Sequence, residues 1–70
     1  MSNDELLNFC QAYQGCRCRI TMYDGREYSG ELVSYSTSQP LLGDVVDIII
    51  WDDNRPYEFS QSEINKIEKL

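Results

Sequence analysis

The sequence predicts a mainly β fold, a small five-stranded barrel with an N-terminal α-helix. Three observations carry this expectation. An apolar period of three to four residues stops at Gly15, a period of two starts at Cys16, and the later apolar runs are short and divided by Asp, Asn, Gly, Pro and Ser. The chain of 70 residues is expected to form a single domain, residues 1–70, with the helix over about 3–14 and strands over about 16–70. A domain of this size hides only about 60% of the surface its unfolded chain exposes. Closing the sheet protects strand edges that so few residues cannot otherwise cover.

Residues 3–14 read as the helix. Leu6, Cys10 and Tyr13, with Leu7 and Phe9 beside them, recur at steps of three and four, which places them on one helical face. Ser2 with Glu5 has the form of a capping box, Asp4 and Glu5 complement the positive end of the helix dipole, and Gly15 supplies a stop. A helix this short is marginal alone and must lay its apolar stripe on the strands.

From Cys16 the side chains alternate, with Cys16, Cys18, Ile20 and Met22 on one face and Arg17, Arg19, Thr21 and Tyr23 on the other. Asp24-Gly25 predicts a tight primed hairpin turn with positive φ angles. The second strand runs roughly from Arg26 to Ser36, with Tyr28, Gly30, Leu32 and Ser34 on one face and Val33 and Tyr35 on the other. Gly30 inside it marks a sharp bend or bulge. Residues 36–44 have loop chemistry, apart from Leu41 and Leu42. Val45 to Trp51 is nearly continuous in β-branched residues, so a central strand covered on both faces is expected. Asp52-Asp53-Asn54-Arg55 reads as a second hairpin turn, Pro56 to Phe59 as a short edge strand and Ser60 to Glu63 as a turn. In the tail, Ile64, Ile67 and Leu70 stand three apart; a final strand is expected, with a short helix as the alternative.

Ile20-x-Met22-x-Asp24-Gly25-Arg26-x-Tyr28-x-Gly30-x-Leu32 resembles the first half of the Sm-like motif, the signature of the Sm, Lsm and Hfq barrels. The helix ahead of the first strand agrees with the family arrangement. The resemblance implies an SH3-like barrel, rings of six or seven subunits joined through strand edges, and RNA bound at the pore by loop residues. The rest of the chain departs from the pattern. Where the family carries an Asp after the second strand and an Asn soon after, this chain has Tyr35-Ser36-Thr37-Ser38 followed by Gln39 and Pro40. Where its second motif has an Arg-Gly or Lys-His core, this chain has Ser60-Gln61-Ser62-Glu63-Ile64. The resemblance supports the barrel and edge-mediated assembly, and it carries over no RNA-binding residue.

Twelve acidic against six basic side chains give a net charge of -6, which opposes non-specific attraction to phosphate backbones and anionic lipid. With no His and no nucleophile set beside a base, neither catalysis nor a cofactor is expected. The longest apolar run, Ile48 to Trp51, is far shorter than a membrane span, and the first twenty residues lack a basic segment followed by an apolar one, so a cytoplasmic protein is expected. Cys10, Cys16 and Cys18 cannot all pair, and no His or second cysteine pair completes a zinc site; they read as small buried apolar residues. Asp52 and Asp53 alone offer too few oxygens for a metal ion.

Leu41, Leu42 and Trp51 are the candidate protein interface, since exposed apolar side chains cost stability unless covered. Asp47 shares a strand face with Val45, Ile49 and Trp51 and needs water or a partner, and Asp52 and Asp53 add an acidic rim. Residues 44–70 hold seven acidic and three basic side chains; this reads as a solubilising surface, or as an acidic mimic of nucleic acid that inhibits a nucleic-acid-binding protein. Arg17, Arg19 and Arg26 with Tyr23 and Tyr35 are the candidate RNA-binding set, although Asp24, Glu27 and Glu31 interleave with them and favour cross-strand ion pairs. The function expected is that of a non-catalytic protein-binding or self-assembling module, with the RNA-binding ring and the acidic mimic as alternatives.

Overall fold

Alternation from Cys18 onward pairs the middle of the chain into a sheet, and the capped helix packs on it. The structure, a computed structural model, describes residues 1–37 and 45–70; Leu41 and Leu42 lie outside the described residues. Its elements are α1 (Asn3–Tyr13), β1 (Arg17–Met22), β2 (Glu27–Thr37), β3 (Val45–Trp51), β4 (Pro56–Ser60), a 3-10 turn (Gln61–Glu63) and β5 (Ile64–Lys69). The strands form one antiparallel sheet in the order β4-β3-β2-β1-β5. The fold is therefore mainly β with an N-terminal helix. The sheet is not closed: β4 and β5 stand at its two ends and do not pair with each other among the described residues.

Ser2 caps α1 as its sequence signature predicts. The Glu5 amide donates to Ser2 Oγ at 3.2 Å, and the Ser2 hydroxyl donates to Glu5 Oε1 at 3.0 Å. Gly15 takes φ +91, the left-handed conformation that ends a helix at little cost for glycine, and its amide donates to the Leu32 carbonyl at 2.7 Å. Leu6 and Cys10 enter the core with Cys18, Ile20, Met22, Leu32, Ile48, Ile50, Phe59, Ile64 and Ile67.

The β1–β2 turn differs from the expected primed type. Only Gly25 has positive φ, at +93. The Gly25 amide donates to the Met22 carbonyl at 3.0 Å and the Met22 amide to the Arg26 carbonyl at 2.8 Å, which makes Tyr23-Asp24-Gly25 a three-residue loop with its glycine in the bulge position. Asp24 drives this choice, because its Oδ1 accepts from the Arg26 amide at 3.0 Å and stabilises the turn without leaving the right-handed region.

β2 serves both halves of the sheet, pairing with β1 over Glu27–Glu31 and with β3 over Glu31–Thr37. Its register shifts between Leu32 and Ser34, where Val33 is the extra residue. The bulge exchanges inward and outward positions, so Tyr35 packs against the core side and pairs with Ile48. The expectation that Tyr35 faces away from Leu32 is thereby corrected. At Gly30 the sheet curls: an added Cβ would run into the Trp51 carbonyl oxygen and lie 2.7 Å from Ile50 Cγ2. The curl also brings the Tyr28 ring of β2 to 5.6 Å from Tyr57 and 5.0 Å from Phe59 on β4, where a flat sheet would hold strands two apart at about 10 Å.

β3 has neighbours on both sides, as a central strand should, but only one of its faces is buried. Ile48 and Ile50 are inside, while Ile49 is half-buried and Trp51 exposed. The tail is a strand. Ile67 faces Ile20 and Ile64 faces Met22, with a register shift between them, so a spacing of three residues in β5 matches a spacing of two in β1. That bulge is why the isoleucine pattern imitates a helix. Cys16, expected in the core, precedes β1 and is half-buried.

Candidate functional site

Trp51 ends the outward face of β3, and the ladder dictates its neighbours. Glu31 on β2 and Pro56 on β4 stand directly opposite it, and Glu58 stands opposite Ile49, two residues along. Opposite positions in an antiparallel pair share a face at about 5 Å, with diagonal ones about 7–8 Å apart. The result is a small apolar row of Ile49, Trp51 and Pro56 between two carboxylates, with Trp51 47% exposed. Neither Glu31 nor Glu58 forms an ion pair among the described residues. Asp47, opposite Ser60, is half-buried on the same face. The sequence points to Trp51 and Asp47 and places Glu58 in the acidic stretch of residues 44–70, but it gives no hint that Glu31 and Pro56 flank Trp51, because strand register decides that.

The two aspartates of the β3–β4 hairpin have different roles. Asp52 Oδ1 accepts from the Asn54 and Arg55 amides at 2.8 and 3.0 Å, and these bonds, the Asn54 amide foremost, hold its carboxyl below the usual carboxylate range. It is a turn-forming residue. Asp53 is exposed. Arg55 donates from Nε to the Tyr57 hydroxyl at 3.0 Å and stacks 4.8 Å above the Tyr57 ring.

The basic-aromatic set is not assembled as one patch. Arg19 donates to Glu68 Oε1 of β5 through Nη2 at 2.8 Å and Nε at 3.1 Å, a bond that lowers the Glu68 pKa. Arg26 pairs with Asp24 at 2.7 Å; the hydrogen bond from the Arg26 amide foremost, and this pair after it, lower the Asp24 pKa. Arg17 is exposed opposite Glu31. Tyr23 is exposed at the hairpin, whereas Tyr35 sits far along β2 against the core side. A surface hollow lined by Met22, Tyr23, Asp24, Arg26, Ser62 and Glu63 contains the Asp24–Arg26 pair, so its one cation is already neutralised.

The thiols divide by burial. Cys10 is pushed up to about 11 by burial, with the Cys18 thiol adding to it. Burial also pushes Cys18 up to about 11, against the opposing charge of Arg17. Both values exceed the ordinary thiol value of about 8.5, so burying these neutral groups stabilises the fold fully below that pH, and the contribution is lost as pH rises toward 11. At neutral pH Cys16 is expected to be alkylated first and alone in the native protein, with Cys10 and Cys18 reacting only on opening. Peptide mass mapping over time checks this; equal rates at all three would refute it. Among the described residues no three His, Cys, Asp or Glu side chains converge as a metal-holding group, and no helix is long and apolar enough to cross a membrane.

Fold and surface together define a small mainly β domain with an acidic, tryptophan-bearing outer face. No protein-family model, curated protein or solved structure matches the chain.

Proposed function

We propose that this chain is a non-catalytic, Sm-like assembly module that joins copies of itself through its free strand edges. One observation carries the reading: the two ends of the sheet bear opposite charge. β3, its hairpin and β4 hold Asp47, Asp52, Asp53 and Glu58 against Arg55, whereas β1 and β5 hold Arg17, Arg19, Lys66 and Lys69 against Glu68. An edge strand presents unpaired amides and carbonyls ready to add another strand. Opposite charge on two different edges favours head-to-tail addition of β5 to β4 and disfavours like edges meeting. Such heterologous contacts close into a ring when the rotation per subunit allows it. The RNA-binding alternative gains nothing from Arg19 and Arg26, both of which are neutralised by carboxylates within the chain.

Light scattering on a sizing column tests the reading. The native chain is expected as an oligomer that weakens with salt, and Lys66→Glu with Lys69→Glu is expected to give a folded monomer. Mixing that variant with one carrying Asp53→Lys and Glu58→Lys is expected to restore association, because the reversed edges are again complementary. A native chain that stays monomeric at every concentration and salt would overturn the proposal.

A further inference from the structure

We infer that the outer sheet face centred on Trp51 is a docking surface for a cationic segment of a partner protein, whose apolar side chains cover the indole while its Lys or Arg side chains meet Glu31 and Glu58. The face spans β2, β3 and the end strand β4; assembly uses the backbone groups along the strand edges, and a strand added beside β4 extends the sheet without covering this face. Its apolar part is Ile49, Trp51 and Pro56, aligned by the β3–β4 ladder, and Trp51 is the only tryptophan in the chain. An indole left 47% exposed gains from being covered, and its ring face attracts a cation more strongly than any other side chain.

Charge decides what covers it. Glu31 and Glu58 flank the indole at opposite and diagonal positions and have no ion-pair partner among the described residues. Arg17 stands directly opposite Glu31 on β1 without closing an ion pair, and as a single cation at the margin it is outnumbered by Glu31, Glu58 and Asp47 on this face. Arg55, the nearest basic residue in sequence, is committed to Tyr57. Nucleic acid and anionic lipid meet repulsion here. A segment alternating basic and apolar side chains matches the arrangement, with an apolar contact at the centre and carboxylates at the margin, as in interfaces where a buried aromatic anchors and charges orient.

Because Trp51 is the sole tryptophan, its emission reports occupancy directly. The probe is a short blocked peptide alternating Lys and Leu, with a Glu–Leu peptide of equal length as control. The Lys–Leu peptide is expected to shift the emission to shorter wavelength saturably, and the Glu–Leu peptide to leave it unchanged. Glu31→Gln with Glu58→Gln is expected to weaken binding at least about tenfold. Lys66→Glu with Lys69→Glu, which tests the assembly edge, is expected to leave peptide binding intact, so either proposal can fail alone. Three results would each overturn the inference: no shift with the Lys–Leu peptide, equal shifts with both peptides, or unchanged affinity in the double glutamine variant. In the Lys66→Glu, Lys69→Glu variant, emission that moves with protein concentration in the absence of peptide would also overturn it, by assigning the face to a second copy of the chain.

Discussion

Replacing Gly30 by alanine is expected to leave the protein largely unfolded. The new methyl would enter the space held by the Trp51 backbone carbonyl and lie 2.7 Å from Ile50 Cγ2. A flexible side chain can swing aside, but a backbone carbonyl moves only if the curl between β2 and β3 opens. Overpacking typically costs about 1–3 kcal/mol and occasionally more, here at the upper end because backbone must move, and a domain this small has only about 3–5 kcal/mol in hand. Urea unfolding followed by circular dichroism checks the loss. Gly25→Ala is the control: its methyl meets nothing within 4 Å, yet φ is +93, so only the left-handed conformation is penalised, at about 1 kcal/mol. Equal stability of Gly30→Ala and the native chain would show that the sheet does not curl at this point.

Leu32→Ala is expected to have an effect of similar size by the opposite route, a void. Leu32 is fully buried, and it sits where the helix end and both halves of the sheet meet. Its amide donates to the Cys16 carbonyl at 3.0 Å, and its carbonyl accepts from Gly15 at 2.7 Å. The backbone around it is therefore held and cannot collapse into the space left behind. Truncation at such sites costs about 2–5 kcal/mol. The urea midpoint should fall steeply with little change in slope, and Leu32→Met should recover most of the loss because it keeps the volume. A midpoint unmoved by the alanine substitution would mean that the core relaxes around this position.

Much of the fold could be read locally. The Ser2 cap, the Gly15 stop, the alternation through β1, the Pro56 edge strand and the sheet bend at Gly30 each rest on one or two residues whose conformational preferences are strong. Where local reading failed or left an alternative open, the cause is different. Tyr35 is displaced to the core side by the Val33 bulge, and the tail, a strand as expected, carries a helix-like spacing of Ile64 and Ile67 because β5 has an extra residue relative to β1. A bulge alters the side-chain period without leaving a composition signal. Asp24 likewise selects a three-residue turn through its own side chain, a choice that the dipeptide alone leaves open.

The candidate surface shows the same division. Trp51, Asp47 and Asp53 are legible as acidic and aromatic outliers on or beside a strand. That Glu31 and Pro56 flank Trp51 follows from pairing positions 20 and five residues away in the chain, and that the basic side chains gather on β1 and β5 follows from a strand order that joins residues 17–22 to residues 64–69.

The sequence by itself determined the mainly β class, the capped helix, most of the strands and the acidic character of the chain, because periodicity, caps and charge are properties of neighbouring residues. Tertiary structure alone decided that β5 forms the other end of the sheet, where the bulges exchange its faces, and which carboxylates come to stand beside Trp51. Those outcomes depend on register and curl, which are set by packing between segments far apart in the chain.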